Sequence, residues 1–169
     1  MGRIITVGRQ FGSGGRELGR RLAELLGIQY YDKEIITEIA NHTSLSEEYV
    51  RGVVERKPNG LYPITIGKSF AYVGEYSVIQ QQSVYKAHDR IIKELADKAD
   101  CVIVGRCADY ILRDKDPFRI FVYASMESRI QRCISRAEST EGLSEKEIKK
   151  QIKEIDKNAF TVIYEVREV

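Results

Sequence analysis

Nine consecutive residues, Arg9-Gln10-Phe11-Gly12-Ser13-Gly14-Gly15-Arg16-Glu17, combine the two things that hold a phosphate: a backbone that can approach closely and flanking guanidinium groups. Gly12, Gly14 and Gly15 free the chain so that several N–H groups can point into one concavity. The donors fall at Gly12, Ser13, Gly14, Gly15 and Arg16. Arg9 and Arg16 lie on either side, and each guanidinium can hold two phosphate oxygens. The bland alternative is a glycine-rich turn of the kind any α/β protein carries, and the two arginines tilt the reading toward anion binding.

A loop of this kind works only if a strand and a helix hold it. Ile4-Ile5-Thr6-Val7 is a β-branched run suited to a strand buried on both faces. After the loop, Leu18, Leu22, Leu25 and Leu26 recur three or four apart, which predicts a helix over 16–26 closed by Gly27. The positive end of that helix then faces the glycines and adds to the attraction for an anion. Gln29-Tyr30-Tyr31 reads as a second short strand ending at Asp32.

Helical spacing returns from Lys33 to about Val54 and breaks at Thr43–Glu48, where Ser46 can cap the next helix. Lys57-Pro58-Asn59-Gly60 and Pro63 mark irregular, mobile chain. Tyr76–Ala99 reads as a long helix. Cys101-Val102-Ile103-Val104, ended by Gly105-Arg106, is a further buried strand, and Phe118–Tyr123 another. Met126–Arg136 is helical, and Ser144 with Glu147 has the form of a capping box opening a helix to Asp156. Phe160–Val169 is strand-like. Strands alternating with helices predict an α/β fold, a parallel sheet with helices on both sides, in a single domain over 1–169.

Composition narrows the partners. The chain has 169 residues, 43% of them hydrophobic, enough for one core. A formal net charge of +2 among 31% charged residues carries no basic block, which argues against a nucleic-acid binder, so any positive site is local. No apolar run is long enough to span a membrane and MGRIITVGRQ is no signal peptide. Cys101, Cys107 and Cys133 do not pair into a metal pattern with His42 or His88, and no chemistry is assigned to the histidines. A reducing, cytoplasmic setting is the expectation; oligomeric state is not legible.

Four segments, in order, resemble the cytidylate-kinase-like family of P-loop nucleoside monophosphate kinases. They are the loop from Thr6 to Glu17, the segment Tyr30-Tyr31-Asp32-Lys33-Glu34-Ile35-Ile36, the run Val102–Leu112 with its Gly105-Arg106-Cys107-Ala108-Asp109, and the Met126–Arg136 helix. Order and spacing agree from about Ile4 to Asp156. The resemblance implies a P-loop-type sheet with a helical acceptor-binding insertion at about 33–99 and a lid at about 129–158. It also implies ATP and Mg²⁺ as cofactors and small nucleotides as partners, with CMP the named acceptor.

The usual loop GxxxxGK[ST] puts a lysine on the terminal phosphates and a hydroxyl on Mg²⁺. Here Gly15 stands at the lysine position and Glu17 at the hydroxyl position. Arg16 would supply the missing charge, Glu17 or water would help hold the metal, and no metal ligand is assigned. Related chains continue past the lid into another arginine-bearing segment, a strand and a last helix; here Asp156-Lys157-Asn158 leads into Ala159-Phe160 and a short apolar tail, as in a chain without part of the base pocket or in a piece of a longer one.

Phosphoryl transfer asks mainly for alignment and charge neutralisation, so arginines at strand ends and on the lid become the candidates. Arg106 follows a buried strand, where ligands collect in open α/β sheets, and by resemblance holds the acceptor monophosphate; the alternative is a surface arginine. Arg129, Arg132 and Arg136 share one helical face. Arg132 and Arg136 are the better candidates for closing on the donor phosphates, against a merely solvated basic face. Asp32 would touch the acceptor or a metal-bound water, or else cap the helix at Lys33. Asp109 belongs to the acceptor motif or to the turn. Cys107 stands where cytidylate kinases carry an Asp that helps read cytosine. Two other functions stay open: a nucleotide sensor without turnover, and a kinase for another small acceptor.

Overall fold

The β-branched run at the start forms strand β1 (Ile4–Arg9), and its alternation splits the core into two layers. The computed structural model describes residues 2–55, 71–136 and 143–167; for 71–78 and 160–167 it describes the backbone. With β2 (Gln29–Tyr31), β3 (Cys101–Val104) and β4 (Phe118–Val122), β1 builds a four-stranded, wholly parallel sheet in the order β2-β3-β1-β4. β3 is buried at every position, as a central parallel strand covered on both faces must be.

One face of the sheet, Ile4, Cys101 and Ile103, packs under α2 (Glu34–Thr43), α3 (Glu47–Glu55), α4 (Ala71–Lys98) and α5 (Ala108–Ile111). The other, Val7, Val102 and Val104, packs under α1 (Gly15–Leu26). Helices on both sides of a parallel sheet are the predicted fold class. Ser46 caps α3 through its hydroxyl, which accepts from the Tyr49 N–H at 3.2 Å, and Gly27 ends α1 in the left-handed conformation.

The buried face of α1 is not its leucines. Gly15, Gly19 and Ala23 are buried, whereas Leu18 and Leu26 are partly exposed and Leu25 largely so. A Cβ at Gly19 would stand 2.6 Å from Val104 Cγ2. The helix therefore lies against β3 on its small residues, and the leucines flank that contact. This close seating fixes where the helix N-terminus points.

α6 (Met126–Arg136) and α7 (Glu145–Arg167) pack on each other through Ile130, Ile148 and Ile152. The capping box opens α7: the Ser144 N–H donates to Glu147 Oε2 at 2.8 Å, and the Glu147 N–H returns to Ser144 Oγ at 3.4 Å. The expected strand-like tail is corrected here. α7 continues through 160–167 as helix, because a capped helix already under way adds a bond per residue and overrides weak local β preference. Likewise α4 begins at Ala71, ahead of the predicted Tyr76. The stretch at 57–63 expected to be irregular and the part of the expected lid at 137–142 lie outside the described residues. No helix of the described residues is long and apolar enough to cross a membrane.

Candidate functional site

The loop after β1 is held from three directions. Ser13 Oγ donates to the Gln10 carbonyl at 2.8 Å, folding the loop on itself. Gly12 and Gly14 take left-handed backbone, φ 77° and 91°, open to glycine without a steric cost. Each also gives room to a neighbour: a Cβ at Gly12 would lie 3.1 Å from the Arg129 carbonyl oxygen, and one at Gly14 would lie 3.1 Å from Arg132 Cζ. The third hold is Arg129 of α6, nearly buried, whose Nε donates to the Phe11 carbonyl at 2.7 Å while Nη2 pairs with Asp156 of α7. Asp156 in turn accepts the Phe11 N–H at 2.9 Å. Arg129 thus ties α6 and α7 to the loop and is occupied there.

Two arginine clusters flank the glycines. In the first, Asp32 is the centre. Arg16 Nε reaches Asp32 Oδ2 at 2.7 Å, and Arg9 Nη2 and Arg106 Nη2 stand 3.9 and 3.8 Å from Oδ1. Asp32 and Arg106 side chains are only 6% and 5% exposed, so these charges interact in low dielectric. Burial lowers the pKa of Arg9, Asp32 pulls it back up, and Arg16 and Arg106 add to the lowering. Asp32 Oδ1 and Arg106 Nε are both buried without a hydrogen-bond partner. A buried acceptor and a buried donor left open are costly: a phosphate oxygen can accept from Arg106 Nε, whereas Asp32 Oδ1 needs a donor such as an ordered water.

In the second cluster Glu17 is the centre. Arg21 Nη2 meets Oε1 at 2.7 Å, Arg132 Nη1 meets Oε2 at 3.3 Å, and Arg136 Nη2 pairs with the same oxygen. The Arg136 hydrogen bond, with Arg21, holds the Glu17 carboxyl below its ordinary range. The Glu17 cluster sets three guanidiniums against one carboxylate, and the Asp32 cluster sets three against two once Glu55 on Arg106 is counted, so both keep positive charge for an incoming anion.

Arg106 owes its place to an unusual backbone. Gly105, Arg106 and Cys107 follow β3 with φ of 70°, 60° and 53°, three left-handed residues in a row, two of them not glycine. A Cβ at Gly105 would collide with Arg9 Nη1, so the strand-end turn and the glycine loop interlock. Arg106 Nη1 donates to Glu55 Oε1, the last residue of α3, at 2.5 Å. His88 of α4, 1% exposed, hydrogen-bonds the Arg106 backbone.

The structure thus brings Arg9, Gly15, Arg16, Asp32 and Arg106 together on one side of the loop, and Gly14, Glu17, Arg132 and Arg136 together on the other. It does not bring in Asp109, which is exposed in the first turn of α5 with no ion pair among the described residues. The capping alternative for Asp32 is overturned: the N-cap of α2 is Lys33, no side chain caps that helix, and the Asp32 carboxylate is drawn to the arginines instead. Sequence reasoning passed over Glu55 and His88. Glu55 carries no local signal, but His88 sits four residues from Val84 and from Ile92 inside an apolar stripe, a polar residue where a core residue belongs.

The described residues hold no group of three or more His, Cys, Asp or Glu side chains that could bind a metal ion. Asp32 Oδ1 is the carboxylate oxygen left for a metal-bound water; both Glu17 oxygens are taken by arginines. A hollow of about 300 Å³ lined by Gly2, Arg3, Ile4, Ile5, Lys115, Asp116 and Phe118 lies at the opposite ends of the strands, away from the carboxyl ends where such sheets bind ligands.

The model of the cytidylate kinase-like family matches residues 4–166, nearly the whole chain. The chain belongs to this family. It is 26% identical over 165 residues to a cytidylate kinase of Methanopyrus kandleri, covering 92% of this chain and 71% of that one. Among solved structures it is similar to an uncharacterized protein from Eubacterium ventriosum, with 25% identity, a TM-score of 0.61, and coverage of 96% of this chain and 76% of the other. A shikimate kinase from Acinetobacter baumannii overlaps at 18% identity and TM-score 0.47, covering 98% and 80%.

Proposed function

We propose that this chain is an ATP-dependent kinase that passes a phosphoryl group to a nucleoside monophosphate, with CMP the first candidate. The observation that carries this reading is the pair of arginine-rich clusters, each with three guanidiniums outnumbering its carboxylates, that flank one glycine loop, an arrangement suited to two phosphate-bearing ligands meeting across it. Family membership and the named cytidylate kinase relative support it.

In this reading Gly12, Ser13, Gly14 and Gly15 offer their N–H groups to the donor phosphates, and Arg132 and Arg136 close on them from α6. Arg9 and Arg16 line the path between donor and acceptor, where Arg16 stands in for the absent loop lysine. Arg106 grips the acceptor phosphate, its open Nε the free donor. Asp32 holds these guanidiniums in place and offers Oδ1 to a water. Magnesium, when bound, would neutralise charge on the moving phosphoryl group. The chain's own contribution is to align two anions and exclude bulk solvent between them.

Titration calorimetry with ATP and with CMP in magnesium, followed by ADP release in the same mixture, tests this. The expected result is binding of both and CMP-dependent release, with Arg16→Ala lowering turnover at least roughly tenfold while the fold persists. Binding of ATP with release driven by another acceptor would move the substrate away from CMP, as Cys107 in place of an Asp favours. Binding without any release would favour a sensor, the reading that Gly15 and Glu17 in place of lysine and hydroxyl support.

A further inference from the structure

The left-handed turn that presents Arg106 has to be held by something, because two of its three residues carry a Cβ and the conformation costs each on the order of 1–2 kcal/mol. Its backbone bonds hold its two ends: the Gly105 N–H donates to the Val7 carbonyl at 2.9 Å and the Ala108 N–H to the Gly105 carbonyl at 3.1 Å, and the Cys107 carbonyl accepts from the Tyr110 and Ile111 N–H groups at 3.0 and 2.9 Å. None of these takes the Arg106 carbonyl. His88 does, from the middle of α4, and it is the buried polar side chain that the core otherwise has no use for. Its Nε2 is buried without a partner, so the bond to Arg106 runs from Nδ1. The core accepts an imidazole with one nitrogen orphaned, a cost a leucine at the same place would not incur.

We infer that His88 is a positioning residue: its hydrogen bond to the Arg106 backbone holds the Gly105–Cys107 turn left-handed and so aims the Arg106 guanidinium at Asp32 and at the acceptor site. Arg106 is then fixed at both ends, by His88 at the main chain and by Glu55 at Nη1, with Nε left free. The acceptor part of the inference rests on the kinase reading above. The hold on the turn does not.

The test uses the full chain with His88→Leu, which fills the space without a donor, and His88→Asn, whose side-chain amide can replace the Nδ1–H. Amide hydrogen exchange at Gly105 and Ala108 reads the turn directly, and calorimetry with CMP and with ATP reads the two ligand sides. The Leu variant is expected to exchange faster at both amides by roughly tenfold or more, and to lose about 10- to 100-fold in CMP affinity with ATP affinity kept. The Asn variant is expected to recover most of both. Wild-type exchange at these amides in the Leu variant overturns the inference. If that variant does not fold, the Asn and Gln variants decide it by the same exchange measurement. If the wild type binds no nucleoside monophosphate, the kinase reading fails, while the exchange comparison still decides whether His88 holds the turn.

Discussion

Arg106 Nη1 and Glu55 Oε1 lie 2.5 Å apart, so the guanidinium proposed to receive an acceptor phosphate is already holding a carboxylate. In the kinase reading a phosphate arriving at the open Nε competes with Glu55 for the charge of one guanidinium, not for the same N–H. Glu55→Gln removes that competitor's charge. Acceptor affinity is expected to rise roughly three- to tenfold, and stability to fall by about 1–2 kcal/mol as Arg106 loses a charged partner. Calorimetry and urea unfolding check the two halves separately.

Glu17 bears the same relation to Arg132 and Arg136 of α6. With Glu17→Gln, Arg132 and Arg136 lose the carboxylate that occupies them, and ATP affinity is expected to rise by up to about fivefold, the modest gain typical of half-exposed pairs. A fall in magnesium-dependent turnover instead would assign Glu17 to the metal. The folded-state carboxyl is held below its unfolded value of 4.5, so its pairing is in full force above that pH and is lost as pH falls through the folded value.

Arg129 differs from its two helical neighbours by being used up in structure. Arg129→Met leaves Asp156 with the Phe11 N–H but without its cation, and unfolding free energy is expected to drop by about 3 kcal/mol. Hydrogen exchange should speed up first along α7, whose attachment to the loop runs through this pair.

His88 makes stability depend on acidity in a window where few other side chains do. Burial, reinforced by the Arg106 charge and opposed by Asp89, pushes its imidazole down to about 4 from 6.5. A folded value below the unfolded one means the unfolded chain binds the proton first. Stability is therefore complete above about 6.5 and is lost as pH falls toward 4, by about 2 kcal/mol between pH 7 and pH 5. Urea unfolding at those two pH values should show this loss in the wild type, and His88→Leu should abolish that share of it.

The strands, the helix starts and the loop were legible because each is written in adjacent residues: β-branched runs, glycines at turns, a capping box. The Phe160–Val169 tail misled because β-branched residues favour strand only where a neighbour is there to pair with. The leucines of α1 signalled a helix correctly but not its buried side, since only the spacing to β3, set by Gly19 against Val104, decides that. In the site, Arg9, Arg16, Arg106, Arg132 and Arg136 were legible as charges on loops and one helix. Their sorting into two groups, each around one acid, was not, because Asp32 and Glu17 gain their partners from segments up to 119 residues away.

The missing side chain at Gly105 is where Arg9 keeps its guanidinium. Two motifs that look separate along the chain therefore share a single vacancy, and neither can be edited alone. Putting even a methyl group at 105 displaces the guanidinium of Arg9, so a change there would be read in an assay as damage to the glycine loop.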